Sequence, residues 1–223
     1  MYKYNQTIFW NVDTQNDFMN PEGKLYVKGA ESIKENIKML TRFANSAGFK
    51  MINTLDMHVK GDEELSDNPD FINTFPEHCM RGSEGAYLIE ENRIADSSRM
   101  IFPVDNLHSY EITKEIVAST RNIHIHKNKF NVFEGNINTE NIFNALVEMY
   151  GKGLRIVVFG VALDVCVKAV LDEFTKRSVE SVLITDATKN LPTSNFDELV
   201  DYFKKTGAVD IKTSKEIIED LIN

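Results

Sequence analysis

The sequence predicts an α/β fold of three layers, with helices on both faces of a mostly parallel sheet of about six strands. Apolar runs of strand length alternate with segments whose apolar residues recur at helical spacing. Within one of those runs, Ile156–Val161 is apolar almost without a break, as a strand covered on both sides must be. A chain of 223 residues, 42% hydrophobic and 26% charged, suffices for one such domain and is short for two of average size.

The elements follow in order. Thr7–Val12 reads as the first strand, Phe49–Leu55 as the second and Asn122–His126 as the third. Arg155–Val161 and Ser181–Thr185 give the fourth and fifth, and Ala208–Ile211 a weaker sixth. Between them Ile33, Ile37, Leu40 and Ala44 repeat at helical spacing, as do Ile142, Ala145, Leu146 and Met149. Cys166, Ala169, Val170 and Phe174 mark a further helical face, and Leu191–Lys205 carries Pro192 where a first turn tolerates it. The stretch from Ser83 to Arg121 fits the alternation badly: Glu90–Ser98 is polar, Met100–Val104 apolar, and Glu111–Thr120 a helix. It reads as an elaboration of the loop between the second and third strands. No shift in composition divides the chain, so residues 1–223 are read as a single domain.

Charge and composition narrow the partners. Lys and Arg number 25 against 34 Asp and Glu, a formal charge of −9 that repels phosphate backbones and anionic lipid. The longest apolar stretch, Ile156–Leu163, falls far below the ~20 residues that span a bilayer. The first residues, Met-Tyr-Lys-Tyr-Asn-Gln, carry no secretory apolar region, and two cysteines make no disulfide framework. The expectation is a cytoplasmic protein that binds neither nucleic acid nor membrane.

In an open parallel sheet, ligands bind beyond the carboxyl ends of the strands. Asp13 closes the first strand, Asp56 and His58 the second; Lys127 follows the third, and Cys166 lies just beyond the fourth. A carboxylate, a carboxylate–imidazole pair, an ammonium and a thiol thus meet at one edge. Cys166 falls in a first helical turn, where the partial positive charge is expected to favour thiolate. Lys127 is placed to hold Asp13 ionised. His124 and His126 alternate to the other face from Lys127 and read as packing or surface residues. Asp56 and His58 lie two apart on an extended segment and point the same way. With His78 returning across a loop, they make a facial set suited to zinc, iron or manganese. Gln15 stands where a haloacid-dehalogenase-like phosphohydrolase would need a second Asp, which removes that reading. Cys79 and Cys166 lack the Cys-x-x-Cys spacing of a redox pair.

Taken together, VDTQNDF, TLDMH, FPEHCMRGSEGA, KNKFNVF and FGVALDVCVKAV resemble, in order along nearly the whole chain, the cysteine hydrolase (isochorismatase-like) superfamily. Within it the nicotinamidases are most similar. The resemblance implies a catalytic Asp13, Lys127 and nucleophilic Cys166, with an oxyanion hole from the backbone of Ala162 and Cys166 after a cis Val161–Ala162 peptide. It implies metal ligands Asp56, His58 and His78 for one divalent ion, zinc first, and pocket aromatics Phe18, Phe75 and Phe133. Glu64 and Asp67 are candidates for a fourth ligand. The implied substrate is a small amide, nicotinamide in the first place and another amide or ureido compound in the second, and the implied assembly a homo-oligomer. The sequence departs from the family pattern at Leu163, where Thr is common, and at Phe75, where Trp is usual.

Overall fold

The computed structural model describes residues 6–94 and 99–223. Residues 1–5 and the last four of the polar run read at 90–98 lie outside the described residues. Seven strands form one parallel sheet: β1 (Thr7–Val12), β2 (Lys50–Asp56), β3 (Arg99–Phe102), β4 (Asn122–Lys127), β5 (Arg155–Val161), β6 (Glu180–Lys189) and β7 (Val209–Lys212). Their order is β3-β4-β2-β1-β5-β6-β7, and every neighbouring pair is parallel. The helices are α1 (Asn16–Met19), α2 (Lys34–Ala47), α3 (Tyr110–Ser119), α4 (Val132–Gly135), α5 (Thr139–Tyr150), α6 (Cys166–Lys176), α7 (Phe196–Thr206) and α8 (Ser214–Ile222).

Strand alternation divides the core in two. Ile8, Trp10 and Val12 of β1 join Ile156 and Val158 of β5 under α3 to α7. Phe9 joins Val157, Phe159 and Val161 on the opposite face, under α1, α2 and α8. This is the three-layer arrangement the alternation predicts, with one strand more. The addition is β3, which sits at the sheet edge inside the segment read as a loop elaboration. Only Phe102 of its four residues is buried, so no two-residue period was there to read, and Pro103 follows directly.

Two other boundaries differ. Helix α7 begins at Phe196, with Asn195 Oδ1 accepting from the backbone of Asp197 at 3.0 Å and Glu198 at 3.3 Å. Pro192 thus lies in the preceding turn rather than in the helix. Strand β6 runs on past Thr185 because its register against β5 shifts between Val158 and Gly160, letting Thr188 and Lys189 pair with Gly160 and Val161. Gly160 is needed there: its φ is 126°, and a Cβ would stand 2.0 Å from the Val12 carbonyl oxygen.

From β1 the chain works outward to β2 on one side and β5 on the other. The point where its direction reverses lies between β1 and β5, and the carboxyl ends there open a crevice.

Candidate active site

Asp13, Asp56, Lys127 and Cys166 converge at that crevice, and all four are buried. Asp13 leaves β1 with φ of 49°, its N–H donating to the Thr54 carbonyl at 3.2 Å. Thr54 Oγ1 returns a hydrogen bond to Asp13 Oδ1 at 2.6 Å. Lys127 Nζ, at the end of β4, lies 2.9 Å from Asp13 Oδ2, is paired with Asp56 Oδ1, and donates to Cys166 Sγ at 3.6 Å. Cys166 is the first residue of α6. The Val161–Ala162 peptide before it is cis.

The charges are strongly coupled. Burial raises Asp13 above the usual carboxylate range; Lys127 opposes this and Asp56 adds to it. Burial alone would lower Lys127, but Asp13 and Asp56 outweigh it and hold the ammonium well above its ordinary value. Burial also pushes the Cys166 thiol well up, with Lys127 opposing and both carboxylates reinforcing. This corrects the expectation that the helix start favours thiolate. A helix terminus is worth about 0.3–1 kcal/mol, which burial beside two carboxylates overrides. Burial, with the two carboxylates beside it, thus favours the thiol over the thiolate.

Asp56, His58 and His78 form a second cluster, their ligand atoms all within 4.8 Å of one another. His58 Nδ1 lies 3.1 Å from Asp62 Oδ2, and His78 Nδ1 lies 2.8 Å from the Pro76 carbonyl. Those partners set the tautomers and leave both Nε2 lone pairs directed inward. His58 Nε2 is buried with no hydrogen-bond partner, and His78 Nε2 stands 3.6 Å from Asp56 Oδ2. An orphaned imidazole nitrogen facing a carboxylate and a second imidazole fits a divalent cation. Asp56 belongs to both clusters. Burial by itself would raise its pKa, but Lys127 and the two imidazoles hold it well below the usual range. Glu64 is also buried: Oε1 accepts from the Phe130 N–H at 2.8 Å, while Oε2 is unpartnered. Burial raises Glu64 to about 7, and its oxygens lie outside the tight group. Asp67 is exposed and is not one of the grouped ligands.

A pocket opens onto Cys166, Asp56 and His78, walled by Phe18, Phe75 and Phe130. Phe75 packs edge-on to Phe130, with ring centroids 5.5 Å apart. Phe133, expected here, does not line the pocket. It packs instead against Phe143 and Phe174, with the Arg177 guanidinium 4.1 Å over its ring. The run KNKFNVF offers two aromatics after Lys127, and the chain turns into α4 between them, so Phe130 faces the pocket and Phe133 the α5–α6 layer.

Three contributors were not read from the sequence. Asp62 orients His58 from four residues on, across a turn containing Gly61 at φ 99°. Gln15 braces Asp56, its amide donating to the Asp56 and Ala86 carbonyls at 2.7 and 2.8 Å and accepting from the Asp56 N–H at 2.7 Å. Asp17 accepts from the Cys79 N–H at 2.7 Å and the Lys24 N–H at 3.1 Å, pinning the segment that carries His78. The spacing HVKGD was a usable signal for Asp62; nothing local marks the other two.

Residues 7–214 match the family model described as Isochorismatase domain. A nicotinamidase/pyrazinamidase of Mycobacterium tuberculosis is 33% identical over 76 residues, which is 34% of this chain and 39% of that relative. The match therefore spans about two-fifths of the relative's length. Among solved structures, the pyrazinamidase of Pyrococcus horikoshii in complex with zinc superposes with a TM-score of 0.67 at 21% identity, over 93% of this chain and 99% of that one. The N-carbamoylsarcosine amidase of Thermoplasma acidophilum gives 0.66 at 20% identity, over 93% and 96%.

Proposed function

This chain belongs to the isochorismatase family, and from that premise we propose that it is a metal-dependent cysteine amidohydrolase converting nicotinamide to nicotinate and ammonia through a thioester. The observation that carries the reading is Asp56, one buried carboxylate joining a thiol–ammonium–carboxylate cluster to an Asp-His-His set.

Asp13 takes the Cys166 proton as Sγ attacks the carboxamide carbon. The tetrahedral oxygen is met by the backbone N–H groups of Ala162 and Cys166, the latter at a helix start where N–H groups lack intrahelical acceptors. Asp13 then delivers its proton to the departing nitrogen as the C–N bond breaks, leaving an acyl thioester. Water attacks that carbonyl, Asp13 accepts its proton, and the C–S bond breaks to return the thiol and release the acid. Lys127 holds Asp13 in place and compensates the charge on both carboxylates. Phe18, Phe75 and Phe130 sandwich a flat ring and keep bulk water from the thioester. Asp56, His58 and His78 would hold the divalent ion, zinc first, which supplies a Lewis-acid anchor for a pyridine nitrogen. Glu64 stands by as a further oxygen donor. The same family reading carries a homo-oligomer working in the cytoplasm, which light scattering after size exclusion tests for assembly.

The decisive experiment is ammonia release from nicotinamide, before and after chelation. Turnover that is lost with the metal and restored by adding it back supports the assignment. Activity confined to a carbamoyl or ureido amide, indifferent to chelator, would move the chain to a related amidohydrolase.

A further inference from the structure

The carboxyl-end site draws on one set of side chains from β2 and β4, and the alternate set lines a second cavity. This groove lies between β2, β3, β4 and the segment 86–94. Asp56 and Lys127 turn to the candidate active site, while Leu55 and Met57, and Asn122, His124 and His126, turn to the groove. Arg99 on β3 and Arg93 from the covering segment complete its polar lining.

The chemistry of that lining is one-sided. No Asp or Glu is among the described residues that line it, although the chain as a whole carries a charge of −9. His124 is 8% exposed, and neither its ring nor that of His126 has a hydrogen-bond partner among the described residues. Asn122 accepts from Asn53 Nδ2 at 2.9 Å, which leaves its own amide hydrogens for the groove. Arg99 forms no ion pair among the described residues and lies close enough to both imidazoles to depress them. Burial, then Arg99, brings His124 down to about 3; burial, then Arg81 and Arg99, brings His126 down to about 4. At neutral pH both rings are therefore uncharged donors, and the positive charge comes from the arginines. The two rings, the Asn122 amide and the two arginines thus present their donors to one space in which no described acidic side chain answers them.

We propose that this groove is a binding site for a small aromatic anion. Its acid group is taken by Arg99 with the His124, His126 and Asn122 donors beside it, and its ring lies on Leu55, Met57 and Ile101. The proposal does not rest on the reaction at Cys166. It also gives His124 and His126 a use that neither packing nor a solvated surface supplies.

Two probes distinguish the head group: benzoate for a carboxylate and phenyl phosphate for a phosphate. Each is titrated into the intact protein while the imidazole resonances of the histidines are followed by NMR. The expected result is a saturable shift of His124 and His126 with at least one probe, and at least tenfold weaker binding in Arg99→Gln. Arg99 is exposed, so this variant does not threaten the fold. Arg93→Gln, also at an exposed position, is a second variant expected to weaken binding. Shifts confined to His58 and His78 would put the probe in the pocket at Cys166 and overturn the proposal. So would the absence of any saturable shift, or an affinity unchanged in Arg99→Gln.

Discussion

Replacing Lys127 with Met keeps the length of the side chain and removes its charge, which isolates what the ammonium does. In the parent protein that one cation faces two carboxylates, with Asp13 0% and Asp56 2% exposed. Breaking a buried pair by deleting one partner costs about 3–5 kcal/mol, because the partner is left buried and uncompensated. For a chain of this size, each kcal/mol is worth about 2–4 °C, so melting should fall by about 6–20 °C. The loss should also depend on pH, with a definite sign. Without Lys127, burial and repulsion from Asp56 raise the folded-state pKa of Asp13 still further above its unfolded value, while the two imidazoles go on holding Asp56 down. A group raised in the folded state contributes stability below its unfolded pKa and loses it as pH rises through the folded one. Lys127→Met should therefore be closer to the parent at pH 5 than at pH 8. Scanning calorimetry of both proteins in chelator, across that range, measures the effect. A variant melting within about 1 °C of the parent at every pH would refute the electrostatic account of the cluster. Adding Asp13→Asn to Lys127→Met should recover part of the loss, since it removes the carboxylate left without a cation.

Other outcomes follow from the same site. Cys166→Ala should abolish ammonia release, by about 10⁴-fold or more, with metal content by elemental analysis unchanged; substantial residual turnover would remove the nucleophile assignment. The rate should fall as pH drops through the Asp13 pKa, which burial raises, so the acid limb of kcat/KM is expected above the ordinary carboxylate range, and Asp13→Asn should be inactive throughout. Asp62→Asn should weaken metal binding by about 10–100-fold in a competition titration with a chelator, since it loosens His58 without touching a ligand; equal affinity would show that the Asp62 contact does not orient the ring.

Strand β5 was legible because it is buried on both faces and so is apolar almost throughout, as Ile156–Val161 is. The residues that follow the strands were legible for the complementary reason. Asp13, Asp56 and Lys127 interrupt or end apolar runs where a charge has no packing purpose. What could not be read had no such contrast. Strand β3 is four residues at an edge, with one buried side chain. The choice between Phe130 and Phe133 depends on where the chain turns into α4, a loop detail that two equivalent phenylalanines cannot encode. His124 and His126 were correctly assigned to the face away from Lys127, but alternation says only which face, not that the face is left uncovered by a helix. The upward push on the Cys166 thiol was not legible because a helix terminus is visible in sequence and burial beside two carboxylates is not.

The two clusters share Asp56 for a reason of charge. Asp13 and Asp56 bring two negative charges into a buried space, and Lys127 returns one positive. Left so, the site would hold an excess negative charge in surroundings that penalise it. Burial works against a proton on His78, yet Asp56 outweighs burial and raises its pKa, so in this state the imidazole is drawn toward carrying the missing charge. A divalent ion held by Asp56, His58 and His78 would supply that charge instead and release the proton, and the Nε2 atoms already face the place where it would sit. The balance needs both cations on the same carboxylate. A chain that kept Lys127 and lost the two histidines would have to give up Asp56 as well, or bury it protonated.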